Sequence, residues 1–192
     1  MSEFAAARAP ALLKAVDRVL IDADTLARRV QELGATISQD YAGRVPILVG
    51  VLKGVVPFMA DLLRAITIPV EVDFMAISRY RPGQKGRVRV LKDLDLDISG
   101  RDVLFVEDIV DTGLTLRYLL KLLQAREPAS LEVCVLLNKT SRRLVEIPLK
   151  YVGFEVPDFY LIGYGLDFRE KYRNLPLVGI MRADLLRVKI PQ

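Results

Sequence analysis

Between Val103 and Thr115 the chain reads Val-Leu-Phe-Val-Glu-Asp-Ile-Val-Asp-Thr-Gly-Leu-Thr, and few folds accept residues in that order. Asp102 to Val106 is predicted as a short strand whose unbroken apolar run suits burial on both faces. Thr115 to Ala125 then places Leu116, Leu119, Leu120 and Leu123 on one side of a helix. A buried strand that passes through a glycine turn directly into an amphipathic helix is the repeating unit of α/β proteins.

The flanking segments extend that pattern. Asp24 to Tyr41 carries Leu26, Val30, Leu33 and Ile37 at spacings of three and four, with Asp22 as a cap and Gly43 as a stop, which predicts an amphipathic helix. Pro46 to Leu52 is a strand, and Pro57 to Ile66 a helix with proline in its first turn. Val70 to Ser78, Val88 to Lys92 and Leu131 to Leu137 are further strands. The expected fold is α/β, a mostly parallel sheet flanked by helices. Tyr151 to Val156, Tyr160 to Tyr164 and Leu177 to Met181 are short, β-like and separated by Pro or Gly, so they extend the sheet and form a smaller subdomain. With no repeat and no linker between apolar halves, residues 1–192 are expected to form one domain.

Composition removes whole classes of chemistry. The sequence has no histidine, so zinc centres and nucleophile-histidine pairs of the usual kind have no ligand or base. Acid-base work falls to Asp, Glu, Lys, Tyr or the substrate. Cys134 is the one cysteine and sits in an apolar run, as a small buried residue would. Apolar runs such as Ile47 to Leu52 are too short to cross a bilayer, and Met1 to Ala9 lacks the form of a secretory signal, so a cytoplasmic protein is the expectation. A net charge of +4 suits anionic ligands without choosing among them.

In open α/β sheets ligands gather at the carboxyl ends of the strands, which directs attention to the loops after Leu52, Val106 and Leu137. After Val106, Thr112, Gly113 and Thr115 lie where a helix leaves its first N–H groups unpaired; glycine lets the backbone close on a ligand and the hydroxyls add donors. That combination makes an anion cradle. It lacks the lysine and glycine spacing of a nucleotide-triphosphate loop. Glu107 and Asp108 are suited to accept from sugar hydroxyls and to hold hydrated magnesium. The plainer alternative is that Asp111 or Thr112 caps the helix while the acids are solvated. Three carboxylates within five positions beside a buried strand repel one another, which tells against it.

The segment Val106-Glu-Asp-Ile-Val-Asp-Thr-Gly-Leu-Thr115 resembles the phosphoribosyl-pyrophosphate motif of type I phosphoribosyltransferases. Leu52-Lys53-Gly54, Lys139, Gly153-Phe-Glu-Val-Pro-Asp158, Gly163-Tyr-Gly-Leu-Asp-Phe168 and Tyr172-Arg173 are similar to the hypoxanthine-guanine branch, with coverage from Val16 to Met181. The resemblance implies the type I fold with a small hood built from N- and C-terminal segments. It also implies transfer of 5-phosphoribose from phosphoribosyl pyrophosphate to a 6-oxopurine in purine salvage.

Residue by residue, the resemblance puts Asp111, Thr112, Gly113, Leu114 and Thr115 at the 5-phosphate, and Glu107 and Asp108 at the ribose hydroxyls. Asp111 is also the catalytic carboxylate facing N7 of the base. Lys53 and Gly54, in a loop where the family often has a cis peptide, contact pyrophosphate together with Arg173. Lys139 donates to the 6-oxo group, Tyr160 stacks on the base, Leu161 meets its 2-edge through main-chain atoms, and Asp167 completes the purine pocket. Leu161 and Tyr160 could equally be core strand residues. Mg2+ is the implied cofactor, held by Glu107, Asp108 and Asp167. Arg79 and Tyr80 belong to a basic, glycine-rich lid, where the family commonly has Ser-Tyr and this chain has Arg-Tyr. The family suggests a homodimer or homotetramer. Alternatives are a transferase for xanthine or a pyrimidine, or a regulator of the same fold that binds nucleic acid. For the last there is no helix-turn-helix and no aromatic-basic platform, so no nucleic acid or membrane partner is expected.

Overall fold

The computed structural model of the protein describes residues 10–78 and 89–186. A short helix α1 (Pro10–Leu13) and strand β1 (Val16–Ile21) precede helix α2 (Ala23–Asp40). Strand β2 (Ile47–Leu52), helix α3 (Val56–Ala65) and strands β3 (Glu71–Ile77) and β4 (Val90–Lys92) follow. Strand β5 (Asp102–Val110), helix α4 (Leu114–Gln124) and strand β6 (Ser130–Asn138) form the central unit. After a 3-10 turn at Thr140–Arg142 come β7 (Tyr151–Glu155), β8 (Leu161–Ile162), β9 (Val178–Met181) and α5 (Ala183–Leu186).

The six-stranded sheet has the order β4-β3-β2-β5-β6-β7, and every pairing is parallel except β3 with β4. Its strands read as apolar runs because both faces are covered. On one face α2 contributes Leu26, Val30, Leu33 and Ile37, and α3 contributes Phe58, Met59 and Leu62, against Leu48, Leu104 and Leu136. On the other, Leu116, Leu119 and Leu123 of α4 cover Val49, Phe105 and Val135. Burying a side chain of this size stabilises by about 1.5–3 kcal/mol, so α2 is held by packing. Asp22 caps it as expected, accepting from Thr25 N at 2.8 Å. Gly34 lets α2 and α3 touch, since a β-carbon there would stand 2.5 Å from Ala65 Cβ.

Two expectations change. Strand β5 runs four residues past Val106, to Val110, so Glu107 and Asp108 belong to the strand's end and not to a loop. They remain in register with β6, with Glu107 opposite Val135 and Val110 opposite Asn138. The three late segments also part company: β7 extends the main sheet beside β6, whereas β8 and β9 join β1 in a separate antiparallel sheet of order β1-β9-β8. Its own small core is Ala15, Ile162, Leu175, Leu177 and Met181. Arg79, Tyr80 and Val88 lie outside the described residues. No helix among the described residues is long and apolar enough to cross a membrane.

Candidate active site

Strands β2 and β5 are neighbours, but the chain leaves them in opposite directions across the sheet, β3 lying beyond β2 and β6 beyond β5. A crevice opens at the carboxyl ends of two such strands. The register Gly50 opposite Val106 brings the loop after β2 alongside the acidic end of β5. There the Leu52–Lys53 peptide is cis. A β-carbon on Gly54 would overlap Asp108 Oδ2, and one on Gly165, at φ +98°, would overlap Gly54 O. The two glycines let the β2 loop and the Gly163–Gly165 turn close around the Asp108 carboxylate.

The acids at the end of β5 sit in a poor place for charge. Burial, then the neighbouring Asp108, raises Glu107 well above the ordinary carboxylate value. Burial also raises Asp108, to about 6, against the lowering effects of the Ile109 amide and the Arg173 guanidinium, with Asp167 nearby adding to the rise. Glu107 Oε2 is buried without a hydrogen-bond partner. An acid pair held this way fits a divalent cation and sugar hydroxyls, which would offset the charge and satisfy the orphaned oxygen. No group of three or more acidic or thiol side chains converges as a metal cage among the described residues. Mg2+ usually takes one or two carboxylates and keeps substrate oxygens and water as its other ligands, and Glu107 with Asp108 offers such a pair.

Beyond β5, Gly113 begins α4 with φ +82° and no side chain caps the helix. Only a 3.4 Å contact joins Leu114 N to Thr112 Oγ1. Glycine thus holds the cap position itself, Thr112 lends its hydroxyl to the first helical N–H, and Thr115 in the first turn is exposed. Leu144 N donates to Thr112 O at 3.0 Å, and Arg143, Val145 and Ile147 close over Gly113.

At the next strand end, Lys139 N donates to Val110 O at 3.0 Å, which sets Lys139 beside Asp111. Its side chain is buried and its ammonium donates to Phe159 O at 2.7 Å, with Asp158 Oδ1 at 3.6 Å. Arg142, which the sequence did not single out, reaches Asp111 Oδ1 at 3.3 Å and Asp158 Oδ1 at 3.6 Å. Leu161 is buried, as a core residue of β8, while Tyr160 is 44% exposed and packs edge-on to Phe168 with ring centres 5.6 Å apart.

Two cavities meet here. One, of about 330 Å³, is walled by Asp111, Lys139, Arg142, Tyr160, Leu161 and Leu166. The other, of about 320 Å³, is walled by Leu52, Gly54, Ile77, Ser78, Glu107 and Thr115. Asp108, Asp167 and Arg173 line both. Arg173 is fixed by Gly165 O at 2.7 Å and Asp167 at 2.9 Å. Glu170 Oε2 stands 3.3 Å from both Arg173 and Lys53, so two cations assigned to the same anion already share one carboxylate oxygen. Sequence reasoning missed Glu170 and Arg142 because a charged residue in a polar segment carries no periodic signal. Asp158 and Gly165 stood within segments already singled out.

A model of the phosphoribosyl transferase domain matches residues 20–169. The chain is 46% identical over 172 residues to a hypoxanthine-guanine phosphoribosyltransferase of Streptococcus agalactiae, covering 88% of this chain and 96% of that protein. It is 45% identical over 169 residues to the Bacillus subtilis protein of the same name, covering 87% and 94%. A crystal structure of a hypoxanthine phosphoribosyltransferase from Staphylococcus aureus superimposes with a TM-score of 0.86 at 41% identity, covering 90% of this chain and 95% of that one.

Proposed function

This chain belongs to the hypoxanthine-guanine branch of the phosphoribosyl transferase family, and from that premise we propose that its two adjoining cavities hold the two substrates of the branch's reaction. The enzyme transfers the 5-phosphoribosyl group from 5-phosphoribosyl 1-pyrophosphate to hypoxanthine or guanine, giving IMP or GMP and pyrophosphate. The observation that carries the placement is that the cavities differ in lining yet share Asp108, Asp167 and Arg173. One sets Ile109, Leu161, Leu166 and the Tyr160 ring beside Asp111, Lys139 and Arg142, a mix that suits the flat faces and polar edges of a base; the other has the acids, glycine and helix start of a sugar-phosphate site.

The 5-phosphate rests on the N–H groups and hydroxyls from Thr112 to Thr115. The ribose hydroxyls lie on Glu107 and Asp108, which would also hold Mg2+, and Asp167 would serve a second ion. Bound Mg2+ would neutralise charge on the departing pyrophosphate. Lys53, the Gly54 backbone and Arg173 receive that group. Lys139, which already donates to Phe159 O, gives a further N–H to the 6-oxo group, so adenine, whose 6-amino group offers no acceptor, leaves that donor unmet. Tyr160 covers one face of the base. The C1–pyrophosphate bond breaks as C1–N9 forms, and Asp111 accepts the imidazole proton of the base. The two sheets act as one catalytic domain with the small sheet as hood, in a homo-oligomer of the cytoplasm.

Formation of IMP from hypoxanthine and phosphoribosyl pyrophosphate tests this reading. Turnover with Mg2+ that stops on chelation and returns with added Mg2+ supports it; no IMP in either condition overturns it.

A further inference from the structure

Tyr160 stands at the mouth of the base cavity, and its hydroxyl donates to the main-chain carbonyl of Asp167 at 3.0 Å. Both residues wall that cavity. The bond ties the start of β8 to the loop that also supplies Arg173. We propose that the Tyr160 hydroxyl sets the enzyme's choice between 2-amino and 2-unsubstituted purines, favouring hypoxanthine over guanine by engaging the Asp167 carbonyl.

The argument rests on the purine placement above. With the 6-oxo group at Lys139 and N7 at Asp111, the C2 edge of the ring turns to the remaining walls, which include Leu161 and Asp167. Hypoxanthine carries only C–H at C2 and asks nothing of those walls. Guanine carries an amino group, which needs an acceptor once it leaves water. The Asp167 carboxylate is already taken, one oxygen by Arg173 at 2.9 Å and the other by Glu170 N at 2.9 Å. Its carbonyl already receives the tyrosine proton. Where a 2-amino group turns to Asp167 as well as to the main chain of Leu161, it shares that oxygen or displaces the hydroxyl. Phenylalanine at this position would keep the ring and its edge-on contact with Phe168 while removing the hydroxyl that donates to the carbonyl.

The test is Tyr160→Phe, with kcat/KM measured for guanine and hypoxanthine on both proteins. The substitution removes one oxygen from a residue 44% exposed, and an unchanged thermal midpoint checks the fold. The guanine-to-hypoxanthine ratio should rise about fivefold, the factor for one hydrogen bond of ordinary strength. Relative affinity for GMP and IMP should move in the same direction, a readout independent of turnover. A ratio changed by less than about twofold, or a fall, overturns the proposal. Were the unsubstituted enzyme to turn over neither base, the purine placement itself would fail instead.

Discussion

Gly54 and Asp108 are in such close contact that a β-carbon on the glycine would overlap Oδ2 of the aspartate and stand 3.0 Å from its Cγ. The contact joins the loop after β2 to the end of β5, and so joins the side of the cleft proposed for pyrophosphate to the side proposed for ribose. Gly54→Ala must push Asp108 or the loop aside. Displacement of about 1 Å in a positioned group can lower rate about a hundredfold. The expected outcome in steady-state assays is a loss of that order in kcat/KM with a nearly unchanged far-UV circular dichroism spectrum. An active Gly54→Ala enzyme would show that the contact has no bearing on the chemistry.

Asp111 lines the base cavity 3.3 Å from Arg142, without a hydrogen bond to Oδ1. If it accepts the proton of the base, Asp111→Asn lowers kcat by about a hundredfold or more while the KM for hypoxanthine changes little. A small fall in kcat with unchanged base affinity would reduce Asp111 to an orienting role.

Glu170 holds Lys53 and Arg173 through one oxygen, where the pyrophosphate of the donor is expected to arrive. The substrate must outcompete that carboxylate. Exposed pairs of this kind contribute up to about 1 kcal/mol each, so Glu170→Gln should lower the KM for phosphoribosyl pyrophosphate by about threefold. A raised KM would mean that Glu170 orients the two cations and does not compete for them.

Stability has its own acid-dependent element. Asp73 is buried, and its Oδ2 accepts from Asp95 N at 2.7 Å and Leu96 N at 2.9 Å, while Oδ1 accepts from Phe74 N at 2.7 Å. Burial alone raises its pKa, but the Leu96, Phe74 and Asp95 amides and the Lys92 charge outweigh it, and the net shift is downward. Its folded value thus lies below the unfolded value of about 3.9, so the carboxylate stabilises the fold above that pH, and the contribution is lost as pH falls through the folded value. Asp73→Asn should destabilise by about 2 kcal/mol at pH 7 and flatten the acid limb of a denaturation series. Equal losses at pH 7 and at pH 2 would contradict the ionised role.

The helix at Ala23–Asp40 was legible because its apolar spacing and Asp22 cap agree with the packing, and strands β2 and β6 because two covered faces demand unbroken apolar runs. The end of β5 was not, since carboxylates are depleted within strands and Glu107 and Asp108 read as a loop. They stay in the strand because β6 continues alongside them and a cleft, not a core, receives their side chains. Strand β1 gave no alternating signal: Asp17 and Arg18 interrupt it, and its partner β9 lies far away in sequence. Asp111 and Lys139 were readable as residues just past the carboxyl end of a strand. The ties of Arg142 to Asp158 and of Glu170 to Lys53 arise only when distant loops meet.

Pyrophosphate release with phosphoribosyl pyrophosphate and Mg2+, measured separately with hypoxanthine, guanine, adenine and orotate, tests the central claim most directly. The account predicts release with the two 6-oxopurines and little with adenine or orotate, because it sets the Lys139 ammonium at a purine's 6-position, where only an acceptor satisfies it. Release with adenine at the rate seen for hypoxanthine, or no release with any base, would contradict it.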